Sequence, residues 1–144
     1  MLSGQVIIGR LTTGGLRLNP LIIYNIMTDY FHPSEFERCN PPCKKSDMHP
    51  DTIARLNRMR EIAGIPLVLN CAYRSPAHDK ARGRSGTGAH TLGRAVDIRC
   101  NASDTRYKII VAALEAGFTR IGVADTFIHV DDSPNHAQCV IWTY

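Results

Sequence analysis

Two short stretches, Arg94-Ala95-Val96-Asp97-Ile98 and Phe127-Ile128-His129-Val130-Asp131, alternate in a way that suits half-buried strands. A strand sends successive side chains to opposite faces, so Ala95 and Asp97 look one way and Val96 and Ile98 the other. In the second stretch Ile128 and Val130 point into the core, while Phe127, His129 and Asp131 share the opposite face. The chain must therefore build a sheet with one covered face and one face that carries carboxylates and an imidazole. A carboxylate in that position is either solvated or tied to a cation, because burying it unpaired costs too much.

The elements around these strands set the fold class. Residues 51–64, DTIARLNRMREIAG, place Ile53, Leu56, Met59 and Ile62 at helical spacing, with Asp51 positioned to cap and Gly64 to end the helix. A second amphipathic helix is expected over residues 103–117, with Ser103 or Asp104 as its cap and Gly117 at its end. Pro33 to Phe36 read as a short helix or turn. Strands are expected over 65–73, 93–100, 118–124, 126–132 and 139–144, and residues 74–90 read as a long glycine-rich loop. The order of helix, two strands, helix, three strands predicts an α+β fold, a small antiparallel sheet with helices packed to one side.

At 144 residues the chain is expected to be one domain, with residues 1–26 an N-terminal extension and residues 27–144 the folded unit. No run reaches the 18 or so apolar residues of a membrane helix, and the first residues lack the pattern of a signal peptide. Synthesis in the cytoplasm is the expectation. The net charge of +4 is spread over scattered arginines and lysines without interleaved aromatics. That argues against nucleic acid and for attraction to an anionic polymer or surface. Five cysteines cannot form a complete disulfide framework. Cys39 and Cys43 bracket a turn and read as a disulfide, half of a zinc site, or neither, whereas Cys71 and Cys100 read as small core residues.

Metal chemistry connects His90, Asp97 and His129. A catalytic zinc takes three protein ligands, commonly imidazoles and a carboxylate, and keeps a position for water. His90 and Asp97 can share an ion only if the segment between them is not extended, since seven residues would span about 23 Å. A turn through Thr91-Leu92-Gly93 is required, and Gly93 permits it. Spacing alone also allows the plain reading, a histidine hydrogen-bonded on a strand.

The segment AYRSPAHDKARGRSGTGAHTLGRAVDI, followed by FTRIGVADTFIHVDD and a terminal VIWTY, resembles the zinc D-Ala-D-Ala carboxypeptidase family, in particular its small phage-type branch. That family shares its fold with lysostaphin-type peptidases and the hedgehog signalling domain. The resemblance spans about residues 30–144, and its core motif falls on His90, Gly93, Ala95 and Asp97. It implies zinc ligands at His90, Asp97 and His129, a substrate contact at Arg74, a peptidoglycan stem peptide as substrate, and action on the cell wall by a monomer.

Two positions depart from the family pattern. Gly88 replaces a serine, leaving Thr87 or Thr91 to supply a hydroxyl, and Thr126 stands where many members carry the acid that serves as general base. Asp131 is the expected substitute because it shares a strand face with His129; Asp125 is the other choice if its loop turns inward. His78 and His136 are further imidazoles that could stabilise an oxyanion, or are ordinary loop residues. The activity implied is zinc-dependent hydrolysis of a wall peptide, with a non-catalytic zinc-binding structural or virion-associated module as the alternative.

Overall fold

The computed structural model describes residues 28–144, so the expected extension over 1–26 lies outside the described residues. Among these residues four helices, α1 (Pro33–Glu37), α2 (Pro50–Ala63), α3 (Pro76–Ala81) and α4 (Ser103–Glu115), accompany five strands. The strands are β1 (Leu69–Cys71), β2 (Ala95–Arg99), β3 (Arg120–Val123), β4 (Phe127–Asp131) and β5 (Val140–Thr143). They form one sheet in the order β1-β2-β4-β3-β5. The first four pair with one another antiparallel, as expected, but β5 runs parallel to β3 and makes the sheet mixed. The eight residues from Asp132 to Cys139 carry the chain from the end of β4 past β3 to the sheet edge, so β5 runs opposite to β4 and, because β3 is antiparallel to β4, parallel to β3.

Strand alternation sorts the two faces. Val96, Ile98, Ile121, Ile128 and Val130 are fully buried and pack with Leu56 and Met59 of α2 and Ile109, Ala112 and Ala113 of α4. The opposite face carries Asp97, His129 and Asp131. Leu56 and Met59 are the deepest of the apolar stripe expected on α2, while Ile53 and Ile62 are partly buried at its margins.

Helix ends differ from expectation in instructive ways. The cap of α2 is His49, whose Nδ1 accepts from Asp51 N at 3.3 Å, and Pro50 occupies the first turn. Asp51 therefore sits inside the helix, next to the positive end of its dipole. Gly64 ends α2 in the left-handed region at φ 61°, as expected. The cap of α4 is Ala102, still extended at φ −123°, so Ser103 and Asp104 fall inside the first turn and neither caps it. Within residues 74–90 the chain forms α3, capped by Ser75 Oγ accepting from His78 N at 3.1 Å. Six residues without an apolar stripe leave little periodicity to read.

Candidate metal centre

His90 lies in a 3-10 turn, Ala89–Leu92, that closes through Gly93 at φ 66° and feeds β2. This is the turn that the spacing of His90 and Asp97 requires. A side chain at Gly93 would overlap the Asp47 carbonyl oxygen and lie 3.1 Å from His49 N, so the position needs both the left-handed backbone and the missing Cβ. His49 N donates to Gly93 O at 2.9 Å and locks the turn to the start of α2. Asp97 and His129 are direct partners in the β2–β4 register, which brings strands 32 residues apart in sequence to one point.

Three donor atoms converge there. His90 Nε2 is 3.3 Å from Asp97 Oδ1 and 3.3 Å from His129 Nδ1, and His129 Nδ1 is 2.9 Å from Asp97 Oδ1. Zinc bonds of about 2.0 to 2.1 Å put tetrahedral ligand atoms about 3.3 Å apart, so the donor spacing fits the ion. The outer nitrogens of both rings are held. His90 Nδ1 donates to the Ala72 carbonyl at 2.6 Å, which leaves Nε2 as a lone pair facing the other donors. His129 Nε2 donates to Asp131 Oδ2 at 2.8 Å, which directs Nδ1 inward. Such outer partners fix the tautomer of a metal-binding imidazole.

The electrostatics follow. Burial opposes charge on Asp97, but the adjoining His129 and His90 imidazoles outweigh it and hold the carboxyl well below the usual range. Burial likewise opposes charge on His129, and the Asp131 and Asp97 carboxylates on either side of the ring override it to push the imidazole up. This is a concentration of negative charge and lone pairs suited to a cation.

Cys71, expected as a simple core residue, is buried beside the centre, and one donor atom from each of Cys71, His90 and Asp97 falls within a 4.8 Å group. It offers the poorer third ligand. Its Sγ approaches His90 on the Nδ1 side, at 3.7 Å, where the nitrogen is committed to Ala72. Burial, with Asp97 nearby, pushes its thiol up to about 12, away from the thiolate that binds metal.

Asp131 shares the strand face of His129, yet its environment does not suit a general base. It is fully buried, and Arg120 Nε donates to both oxygens at 2.9 and 3.1 Å, Ser133 N donates to Oδ1 at 3.0 Å, and His129 Nε2 takes Oδ2. Burial opposes its ionisation, but these donors win and lower its pKa, which weakens it as a proton acceptor. Its carboxylate also meets the outer nitrogen of His129, on the far side of the ring from the other donors. Asp125, the other expected base, is exposed in the β3–β4 turn, where its carbonyl accepts from Arg106 at 2.8 Å. It does not line the cleft. The hydroxyls expected to replace the absent serine turn elsewhere, Thr91 to Gly88 O at 2.8 Å and Thr87 to Ser85 Oγ at 2.9 Å.

The donors open into a cleft of about 250 Å³. Arg74 lines it, with Arg84 and His136. The Arg74 guanidinium is steadied by buried Asp79, at 3.5 Å from Nε, and Arg84 approaches the same carboxylate at 3.9 Å. The Nδ1 of His136 is 2.8 Å from Ser133 Oγ. His78 is on α3 and does not line the cleft. Trp142 forms one wall, its ring 5.5 Å from that of His129 and covered by Arg120 at 5.3 Å. Gly122 makes room for it, since a Cβ there would lie 2.8 Å from the indole. Trp142, Arg120 and Asp79 were not expected at the site. The alternation of Arg120 and Gly122 against Ile121 and Val123 is the one sequence signal that places Arg120 on this face. Cys39 and Cys43 are free thiols outside the cleft.

An α+β domain that presents two oriented imidazoles and a carboxylate in an arginine-lined cleft has the architecture of a metallopeptidase. The family described as Peptidase M15 matches residues 29–131, and the chain belongs to that family of zinc-dependent, D-Ala-D-Ala carboxypeptidase-like peptidases. No curated protein and no solved structure matches the chain.

Proposed function

We propose that this protein hydrolyses amide bonds in peptidoglycan stem peptides at the cell wall, after synthesis in the cytoplasm, as a phage lysin or a wall-remodelling enzyme. The observation that carries the reading is the convergence of His90 Nε2, His129 Nδ1 and Asp97 Oδ1, within 3.3 Å of one another, beside Arg74 and Arg84. These three side chains would hold the zinc. When bound, zinc acts as a Lewis acid and lowers the pKa of its water toward about 7.

The chain's own groups divide the remaining work. The Ala72 carbonyl and the Asp131 carboxylate keep the two imidazoles in the ligating tautomer, and Arg120 keeps Asp131 ionised for that task. Arg74 and Arg84 bind a substrate carboxylate, which a planar guanidinium grips at two points. Trp142 shields one side from solvent. His136 carries the proton, because among the described residues it is the imidazole of the cleft outside the ligand set and both cleft carboxylates are engaged. Imidazole suits proton transfer near neutral pH, a contribution of about a hundred- to ten-thousandfold.

The same lack of an unengaged carboxylate favours the second reading, a zinc-binding structural module without turnover. Zinc stoichiometry and release of peptides from purified cell walls, with and without chelator, decide between them. One zinc per chain with chelator-sensitive cleavage supports the peptidase; one zinc without cleavage supports the module. His129→Ala should lose zinc, whereas His136→Gln should keep zinc and lose at least about a hundredfold in turnover. Full zinc occupancy in His129→Ala would remove the ligand assignment.

A further inference from the structure

The cleft does not end at Asp97. A second groove, of about 560 Å³, shares Asp97 and Phe127 with it and continues over the open sheet face to Arg99 and Arg38. Arg99 is two residues beyond Asp97 on β2 and so emerges on the same face, about 6 to 7 Å further along the strand. It pairs directly with Phe127, next to the Asp97–His129 pair. Arg74 lies the other way: it follows β1 three residues past Cys71, the antiparallel partner of Asp97. The two arginines therefore flank the metal centre along the strand axis.

The second groove is basic. Apart from Asp97, which is held by the two histidines, no acidic side chain lines it. Arg99 is exposed and its guanidinium has no hydrogen-bond or ion-pair partner among the described residues. Arg38 gives one bond to Ser34 Oγ, at 3.0 Å, and has donors to spare. Asn70 adds an amide and Val68 an apolar margin.

Resting on the peptidase reading, we propose that this groove is a second substrate subsite, in which Arg99 and Arg38 bind a carboxylate carried on the acyl side of the scissile amide. Arg74 and Arg84 then take a carboxylate on the leaving side. A substrate with carboxylates on both sides of the cleaved bond is gripped at both ends, and that double requirement selects acidic peptides over neutral ones.

Trp142, the single tryptophan of the chain, lines the cleft and its fluorescence reports occupancy without any need for turnover. The probes are two synthetic stem-type peptides ending in D-Ala-D-Ala. They differ only in a γ-linked glutamate, two residues before the penultimate alanine, that bears a free α-carboxylate or an α-carboxamide. Chelated wild-type protein at low salt should bind the carboxylate peptide about three- to fivefold more tightly, the range for one exposed charge pair. Arg99→Gln should erase the preference, and Arg38→Gln should reduce it. Equal binding of the two peptides by wild-type protein, or a preference that survives in Arg99→Gln, overturns the subsite. Zinc-loaded protein that cleaves neither peptide, yet shows the Arg99-dependent preference, retains the subsite and counts against the peptidase reading instead.

Discussion

Gly93→Ala isolates the steric demand that the His90-to-Asp97 turn places on the chain. The substitution has two costs. An alanine held at φ 66° pays about 1–2 kcal/mol for the left-handed backbone. Its Cβ would also collide with the Asp47 carbonyl oxygen and crowd His49 N and Met48 Cα at 3.1 Å. All three are backbone atoms, so no side-chain rotation relieves the contact, and overpacking of this kind adds about 1–3 kcal/mol. The sum, about 2–5 kcal/mol, is a large part of the roughly 5–15 kcal/mol that holds a domain folded.

Gly64→Ala is the matched control, because Gly64 has nearly the same φ, 61°, and nothing within 4 Å of the added carbon. It should cost only the backbone strain. Urea unfolding of both variants in chelator, which removes any contribution from metal, measures the difference. With a slope of about 1–3 kcal/mol per molar, an extra 2 kcal/mol moves the midpoint by about 1 M. Zinc affinity should fall in Gly93→Ala alone, since relieving the clash shifts His90 relative to Asp97. If the two variants unfold within about 0.5 kcal/mol of each other, the close approach to the Asp47 carbonyl contributes nothing to the demand for glycine at position 93.

Other outcomes follow from single contacts. Asp131→Asn should weaken zinc binding by about 10- to 100-fold, as expected for the partner that orients a ligand; unchanged zinc affinity with lost turnover would return Asp131 to the role of base. Thr52→Val should destabilise the fold by about 1–3 kcal/mol in denaturant unfolding, because Thr52 Oγ1 donates to buried Asp132 Oδ1 at 2.7 Å; a loss below about 0.5 kcal/mol would mean that Asp132 finds another donor. The hydrogen bond from Cys39 lowers the Cys43 thiol and raises its own, so as pH rises Cys43 becomes thiolate first. Mass spectrometry after brief alkylation at neutral pH should find Cys43 modified ahead of Cys39, and the reverse order would contradict the pairing.

What the sequence by itself determined is local and periodic. Alternation in β2 and β4 assigned Val96, Ile98, Ile128 and Val130 to one face and Asp97 and His129 to the other, because side-chain direction in a strand depends only on the parity of position. The turn at Gly93 was legible for a similar reason, since two ligands seven residues apart must be joined by a chain that bends. Tertiary structure alone decided how these pieces are partnered. The parallel course of β5, the tilted contact of Trp142 with His129, and the hold of Arg120 on Asp131 all depend on which strand lies beside which and in what register. Parity put Asp131 on the same face as His129; only the β3–β4 pairing, which sets Arg120 opposite Asp131, committed that carboxylate to the outer nitrogen of the ring and to a guanidinium. A carboxylate's chemistry is set by the charges and donors within a few ångströms of it, and those come from parts of the chain that no local pattern specifies.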